Sequence, residues 1–247
     1  MSIFKFKEFE LIQAENAMKV GTDAMLLGAF ANATNRRTGL DVGAGTGVLS
    51  LMVAQKNDAI SFDAIELDQK SAEECTLNFE NSKWSDRLSV LNMNFLDFEA
   101  PGCYDLVVSN PPYYQSTRLN RDPRKAMARH ESSLPMVEFV KNVSQVLTSE
   151  GEFWIIIPAE DHKNWTKTCS NFGLHLIERN SIYGKEGGEI KRVILAYSKT
   201  KILLEEFSFV IRDIANNYTE AYKELTREYH HNLLLFKIEF GLHASFQ

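Results

Sequence analysis

The sequence predicts an α/β protein built on a doubly wound, mostly parallel sheet with helices on both faces. Three observations predict it. Strand-like apolar runs alternate with helical segments through most of the chain, the order that produces parallel βα units. One strand opens directly into a glycine-rich turn, Gly43-Ala44-Gly45-Thr46-Gly47, and then into an apolar helix. Four polar residues, Asp41, Glu66, Asn94 and Asn110, fall at or beside the ends of successive strands, the edge at which such sheets hold ligands.

Composition narrows the class. The 247 residues are 44% hydrophobic and 24% charged, which suits one large globular domain with extensions or two small ones. No apolar run approaches the roughly 18 residues of a membrane span, so no membrane partner is expected. Cys75, Cys103 and Cys169 stand far apart without a CxxC pair. That spacing suggests neither a disulfide framework nor a metal site, and a reducing, cytoplasmic setting follows. A net charge of −6 weighs against nucleic acid unless basic residues are concentrated locally.

Taken in order, Met1 to Ile12 interleaves Lys5, Lys7, Glu8 and Glu10 with Ile3, Phe4, Phe6 and Phe9. This alternation reads as a strand and lacks the apolar block of a signal peptide. From Ala17 to Phe30, Thr22 or Asp23 can cap an amphipathic helix running through Met25, Leu26, Ala29 and Phe30. A short strand from Gly39 then enters the glycine turn, and a helix runs from Val48 to Ala54. The glycines permit tight backbone and close approach of a ligand near a helix N-terminus. Their G-x-G-x-G spacing departs from the G-x-G-x-x-G of dinucleotide sites. Asp41 ahead of them suits a ligand that carries an amino acid rather than a pyrophosphate. The next strand, Ile60 to Ile65, ends in Glu66-Leu67-Asp68, where an acidic side chain is placed to hold ribose hydroxyls. A helix (Gln69 to Asn81), a strand (Leu88 to Met93), Asn94-Phe95 and a strand (Tyr104 to Val108) follow. Beyond a polar segment come a helix (Leu134 to Leu147), a strand (Glu152 to Ile157), a helix (Asp161 to Phe172) and strands near Leu174 to Ser181 and Ile190 to Tyr197.

The strand through Leu106, Val107 and Val108 ends at Ser109-Asn110-Pro111-Pro112-Tyr113. Two prolines cannot donate to a ladder and fix φ, so they leave a rigid corner with free carbonyls. In isolation this is equally a plain turn. It also has the parts to handle a planar –NH2 group. The Asn110 side-chain oxygen and the Pro111 carbonyl can accept its two hydrogens, and Tyr113 can stack on the flat system that carries it. Such an amine is a poor nucleophile because its lone pair is conjugated with the ring. Holding both hydrogens out of plane frees that lone pair without a general base.

The run Asp41 to Gly47, followed later by Asn110-Pro111-Pro112-Tyr113, resembles the S-adenosylmethionine-dependent amino-methyltransferases. More narrowly, the chain resembles the bacterial tRNA(Val) adenine N6-methyltransferases, which act on the adenine beside the anticodon, position 37. The narrower resemblance rests on Ala17-Met18-Lys19-Val20-Gly21-Thr22-Asp23, on Ala128-Arg129-His130-Glu131 and on Tyr218-Thr219-Glu220-Ala221-Tyr222. It implies a Rossmann-like methyltransferase sheet, S-adenosylmethionine as cofactor and tRNA as partner. Asp41, Gly43 and Gly45 would line the methionine part of the cofactor, and Gly47 belongs to the same cofactor set. Glu66, with Leu67 beside it, would hold the ribose, and Asn94 and Phe95 would bracket the adenine. Family members usually carry Asp at the Asn94 position; Asn can accept from the adenine amine, but its own NH2 must be accommodated. Lys19, Thr22 and Asn110 complete the cofactor set, and Asn110, Pro111, Pro112 and Tyr113 form the catalytic corner. Residues 1–38 would then be a strand and helix covering the cofactor site, 39–200 the methyltransferase domain and 201–247 a C-terminal extension.

Arg118, Arg121, Arg124, Lys125 and Arg129 cluster just after the corner, offset only partly by Asp122 and Glu131. Beside a base pocket they suit the phosphates flanking a target nucleotide, although such a run is otherwise a solvated loop. A protein glutamine N5-methyltransferase poses the same amide problem, but it would need no basic cluster and usually has a helical domain before the glycine loop. A DNA adenine methyltransferase would need a long insertion to read a groove, and a catalytically dead RNA-binding module would not need the intact glycine, Glu66 and Asn110 set.

Overall fold

The computed structural model of the chain describes residues 2–13, 20–111 and 136–230. The N-terminal stretch, expected as a single strand, is instead a hairpin. β1 (Ser2–Lys5) and β2 (Glu10–Gln13) pair antiparallel, with Ser2 opposite Gln13 and Lys5 opposite Glu10. Phe6 and Phe9 stack across the turn, ring centroids 4.2 Å apart, and both are buried, while Lys7 and Glu8 remain exposed at its tip. A straight strand could not bury both rings and leave both charges in water.

Helix α1 (Thr22–Phe30) lies where the sequence places it but begins differently. Its N-cap is Gly21, without a side-chain cap, and Asp23 turns away to an ion pair with Arg192, Oδ2 to Nε 2.9 Å. Ala24 through Ala29 are all buried, so α1 is an interior helix rather than an amphipathic surface one. The chain continues as β3 (Thr38–Val42), α2 (Val48–Lys56), β4 (Ser61–Glu66), α3 (Gln69–Glu80), β5 (Leu88–Asn92) and β6 (Tyr104–Ser109). It resumes with α4 (Met136–Val146), β7 (Leu147–Pro158), α5 (His162–Asn171), β8 (His175–Tyr183), β9 (Ile190–Ser198), β10 (Glu205–Val210) and α6 (Glu220–Thr226).

Eight strands form one sheet in the order β10-β8-β9-β7-β6-β3-β4-β5. All neighbours run parallel except β9, which is antiparallel to β7 and β8. Strand periodicity builds a core on each face. Along β7, Trp154 and Ile156 face the side covered by α1, α2 and α3, whereas Phe153, Ile155 and Ile157 face α4 and α5. Ile155 and Ile156 are each 0% exposed, and burial of such a side chain stabilises by about 1.5–3 kcal/mol. In α4, Phe139, Val140, Val143 and Val146 form the buried stripe while Val137, Glu138 and Lys141 stay outside. Beyond residue 200, β10 extends the sheet beside β8, and Tyr222 of α6 is fully buried in the core against which α1 packs. β10 escaped the sequence reading because Glu205, Glu206 and Ser208 dilute Phe207 and Phe209 on an exposed edge.

The chain moves outward from β3 to β4 and β5, then returns to place β6 on the other side of β3. β3 and β6 therefore flank the topological switch, where a crevice opens beyond the strands' carboxyl ends.

Candidate active site

Four strand ends meet at that rim: Val42 of β3, Glu66 of β4, Asn92 of β5 and Ser109 of β6. Ser109 Oγ donates to the Val42 carbonyl at 2.7 Å, locking the end of β6 to the end of β3 just before Asn110. Asn110 is half-buried and Pro111 buried at this junction. Pro112 and Tyr113, the rest of the expected corner, lie outside the described residues, as do Lys19, Arg118, Arg121, Arg124, Lys125 and Arg129.

The glycine turn is pinned on two sides. Gly43 and Ala44 donate their amides to the Ile65 carbonyl, at 2.9 and 3.2 Å, and Gly45 donates to Glu66 Oε2 at 2.8 Å. Gly43, Gly45 and Gly47 all have positive φ, +75°, +54° and +78°. Their surroundings differ. A Cβ built at Gly43 or Gly45 would meet nothing within 4 Å, whereas at Gly47 it would stand 2.5 Å from the Phe79 ring and 2.7 Å from Cys75 Sγ. Gly43 and Gly45 thus leave room for a ligand, and Gly47 leaves room for α3.

Asp41 differs from its expected part. It is 0% exposed, and its Oδ2 accepts from the Ser50 amide at 3.2 Å and from Ser50 Oγ at 2.9 Å. It therefore ties the end of β3 to the first turn of α2 and shapes the turn from beneath. Burial pushes its carboxyl up to about 7, against the Ser50 hydrogen bonds that favour the charged form. Its Oδ1 has no partner among the described residues. A cation held on the turn above would favour ionisation of this buried group.

Glu66 is half-buried and held at both oxygens, Oε2 by Gly45 N and Oε1 by Asp68 N at 2.9 Å. A carboxylate offers about four lone-pair sites, so two remain for vicinal hydroxyls. Leu67 follows it, 59% exposed, an apolar side chain in water at the lip of the crevice. Asn94 is half-buried and its Oδ1 accepts from Leu96 N at 3.0 Å, capping a short 3₁₀ turn. The oxygen expected to receive a ligand amine already has one donor. The Phe95 ring is 2% exposed and packs on Phe139, centroids 5.4 Å apart, so what Phe95 can offer a ligand is its backbone. Thr22 lies in the first turn of α1 and lines a cleft with Asp23, Arg192, Arg212 and Tyr218, apart from the glycine turn.

Three supporting residues went unread in the sequence. Asn92 Nδ2 donates to the carbonyls of Glu66 (2.9 Å) and Leu67 (3.1 Å). Asn142 of α4 donates to those of Phe95 (3.0 Å) and Leu96 (3.1 Å). Asn78 of α3 donates to the Thr46 carbonyl (2.9 Å) and exchanges hydrogen bonds with Ile12 of the hairpin. Only Asn92, at a strand end, carried a positional signal. Open space at Gly43 and Gly45, spare acceptors on Glu66 and exposed Leu67 together fit a ligand with a diol, a flat ring and a cationic tail, as S-adenosylmethionine has.

A sheet of this order with a glycine turn at its switch point defines the Rossmann-like methyltransferases as the structural class. A predicted O-methyltransferase from Agrobacterium tumefaciens shares the fold, with a TM-score of 0.68 at 18% identity over 84% of this chain and 96% of that one. Pyrococcus horikoshii TYW2, solved in complex with MeSAdo, superposes with a TM-score of 0.57 at 15% identity over 81% and 72% of the two chains. Residues 6–174 match the methyltransferase small domain, and the chain belongs to that family. Curated relatives named tRNA1(Val) (adenine(37)-N6)-methyltransferase run nearly end to end with it. The Flavobacterium johnsoniae protein is 36% identical over 92% of this chain and 99% of its own length. The Bacteroides thetaiotaomicron protein is 35% identical over 93% and 98%. The Actinobacillus pleuropneumoniae serotype 7 protein is 35% identical over the same shares.

Proposed function

We propose that this protein transfers a methyl group from S-adenosylmethionine to the N6 amine of the adenine at position 37 of tRNA1(Val). One observation carries the reading: relatives of that name match over almost their whole lengths. Asn110-Pro111 at the end of β6, beside a glycine turn with open space over Gly43 and Gly45, supports it.

The cofactor supplies an already activated methyl group, so the protein's task is chiefly alignment. Glu66 would offer its spare lone pairs to the ribose hydroxyls, braced by Gly45, Asp68 and the Asn92 bonds behind it. Leu67, exposed beside it, would offer an apolar surface to the flat ring. On the other side of β3, Asn110 Oδ1 and the Pro111 carbonyl accept the hydrogens of the adenine amine and turn its lone pair toward the donor. Ser109's bond to Val42 holds this corner at a fixed distance from the turn. The extra proton leaves to solvent after transfer, and the basic run from Arg118 to Arg129 takes the flanking phosphates. Position 37 lies in single-stranded RNA, so presenting its base costs less than extrusion from a duplex. A tRNA substrate fits a cytoplasmic setting.

The test is methyl transfer to total tRNA from cells lacking the protein, followed by nucleoside mass analysis. Wild type should form N6-methyladenosine. Asn110→Ala should slow the reaction by roughly 10²–10³-fold, as loss of a contact to a reacting group does, with cofactor affinity little changed. Methylation of a protein amide with tRNA left unmodified would overturn the reading, and an Asn110→Ala enzyme of normal rate would remove the amine clamp.

A further inference from the structure

A second cleft, of about 490 Å³, opens between the start of α1, the β8–β9 turn and the segment after β10. Strand directions fix its place. β9 is antiparallel, so its first residues sit at the carboxyl end of β7, with Arg192 opposite Pro158. β8 ends at Tyr183, opposite Ile190 of β9 and Val210 of β10. Lys191, Arg192, Ile211 and Arg212 therefore lie on the same rim as Glu66 and Asn110. Strands stand about 4.8 Å apart, so β9, β8 and β10 are roughly 10, 14 and 19 Å along the rim from the strand that carries Asn110. Single-stranded RNA covers that span in a few nucleotides.

The lining has both parts of a nucleotide site. Three cations, Lys191, Arg192 and Arg212, face a single carboxylate, Asp23, which is paired with Arg192. Lys191 reaches Glu189 at 3.0 Å, but both side chains are largely exposed, so the pair contributes little. Arg212 has no carboxylate partner among the described residues. Its Nη1 donates to the Asn216 carbonyl at 3.0 Å, and its guanidinium sits 4.0 Å over the Tyr218 ring. Tyr218 in turn stacks on Tyr222, centroids 4.5 Å apart and 13° from parallel, and Tyr222 is fully buried. The result is a column anchored in the core and ending in an oriented, charged plane at the cleft, with Ile182 and Ile211 as apolar walls.

We propose that this cleft binds a nucleotide of the tRNA that flanks the target adenosine. Its base extends the Tyr222–Tyr218–Arg212 column and its phosphate lies against Lys191 and Arg212. Bases stack on guanidinium planes as they do on aromatic rings. The proposal rests on the tRNA reading above and adds to it a site built from residues other than the run 118–129.

The experiment measures binding of intact tRNA and of an anticodon stem-loop RNA against salt, with S-adenosylmethionine affinity measured alongside. Arg212→Ala should weaken RNA binding roughly tenfold, the loss of one stacked base, and flatten the log–log salt slope by about 0.7–0.9. Arg212→Lys should keep the slope and lose the affinity. Lys191→Gln, at an exposed position, should flatten the slope without disturbing the fold. Arg212→Ala and Lys191→Gln proteins with wild-type affinity and slope would overturn the proposal, as would an Arg212→Lys protein that binds like wild type. A parallel loss of cofactor affinity in Arg212→Ala would also overturn it, by marking Arg212 as a support of the fold. A wild-type protein that neither binds nor methylates tRNA would instead sink the reading beneath it.

Discussion

Glu66 is fixed before any ligand arrives, because Gly45 and Asp68 each hold one oxygen of its carboxylate and Asn92 holds its backbone carbonyl. Glu66→Ala should weaken S-adenosylmethionine binding by about 1.5–3 kcal/mol for each charged hydrogen bond lost, read by calorimetry. Unchanged affinity would take Glu66 out of the site. Asp41 makes a different statement about charge. Its folded carboxyl is raised to about 7 from an ordinary 3.8. The folded state therefore keeps a proton that the unfolded chain releases, and this contribution to stability is full below about pH 4 and lost as pH rises to about 7. Asn at this position keeps an oxygen for Ser50 and cannot ionise. Whatever its absolute value, the unfolding free energy of Asp41→Asn relative to wild type should rise across that window in the ligand-free protein, by on the order of 4 kcal/mol at most, read from denaturant unfolding at each pH. A constant difference would show that Asp41 titrates normally.

At the scale of elements, the glycine turn separates two demands that its sequence spells with one letter. Gly47→Ala must push a methyl group into Phe79 and Cys75 at positive φ, combining about 1–2 kcal/mol of backbone cost with about 1–3 kcal/mol of overpacking. Gly45→Ala meets open space, so it should lose only the backbone part and chiefly reduce cofactor affinity. Thermal melts and cofactor titrations of the two variants check this; equal losses of stability would refute the division. The turn, the helix after it and the acidic strand end were legible because each is local: spacing, cap and period lie within a dozen or so residues. The hairpin turn at Lys7-Glu8 and the cap at Gly21 were not, since ring stacking between Phe6 and Phe9 and the reach of Asp23 to Arg192 join distant or folded-back residues. Asp41 was legible as important but not as buried, because motif and depth are separate facts.

Across the whole molecule, tRNA binding would be a sum of phosphate contacts. Replacing Arg121 and Arg124 with Ala should flatten the salt dependence of tRNA binding by about one to two units if both meet phosphates, and parallel lines for wild type and variant would remove that segment from the interface. The alternation of strands and helices, and with it the doubly wound sheet, was largely readable, but the second cleft was not. It assembles Thr22, Arg192 and Arg212 from opposite ends of the chain, and no spacing in the sequence connects them. The match to the methyltransferase small domain stops at residue 174, just before β8. What lies beyond turns on the reversal of β9. A parallel strand would have required a long crossover and another helix to return to this rim. The reversed one returns through residues 184–189 alone. Such a short surface turn can lengthen, shorten or change its charges without moving any helix or the glycine turn. The charge at the far end of the rim can thus be rewritten through one loop while the strand ends that carry Glu66 and Asn110 stay as they are.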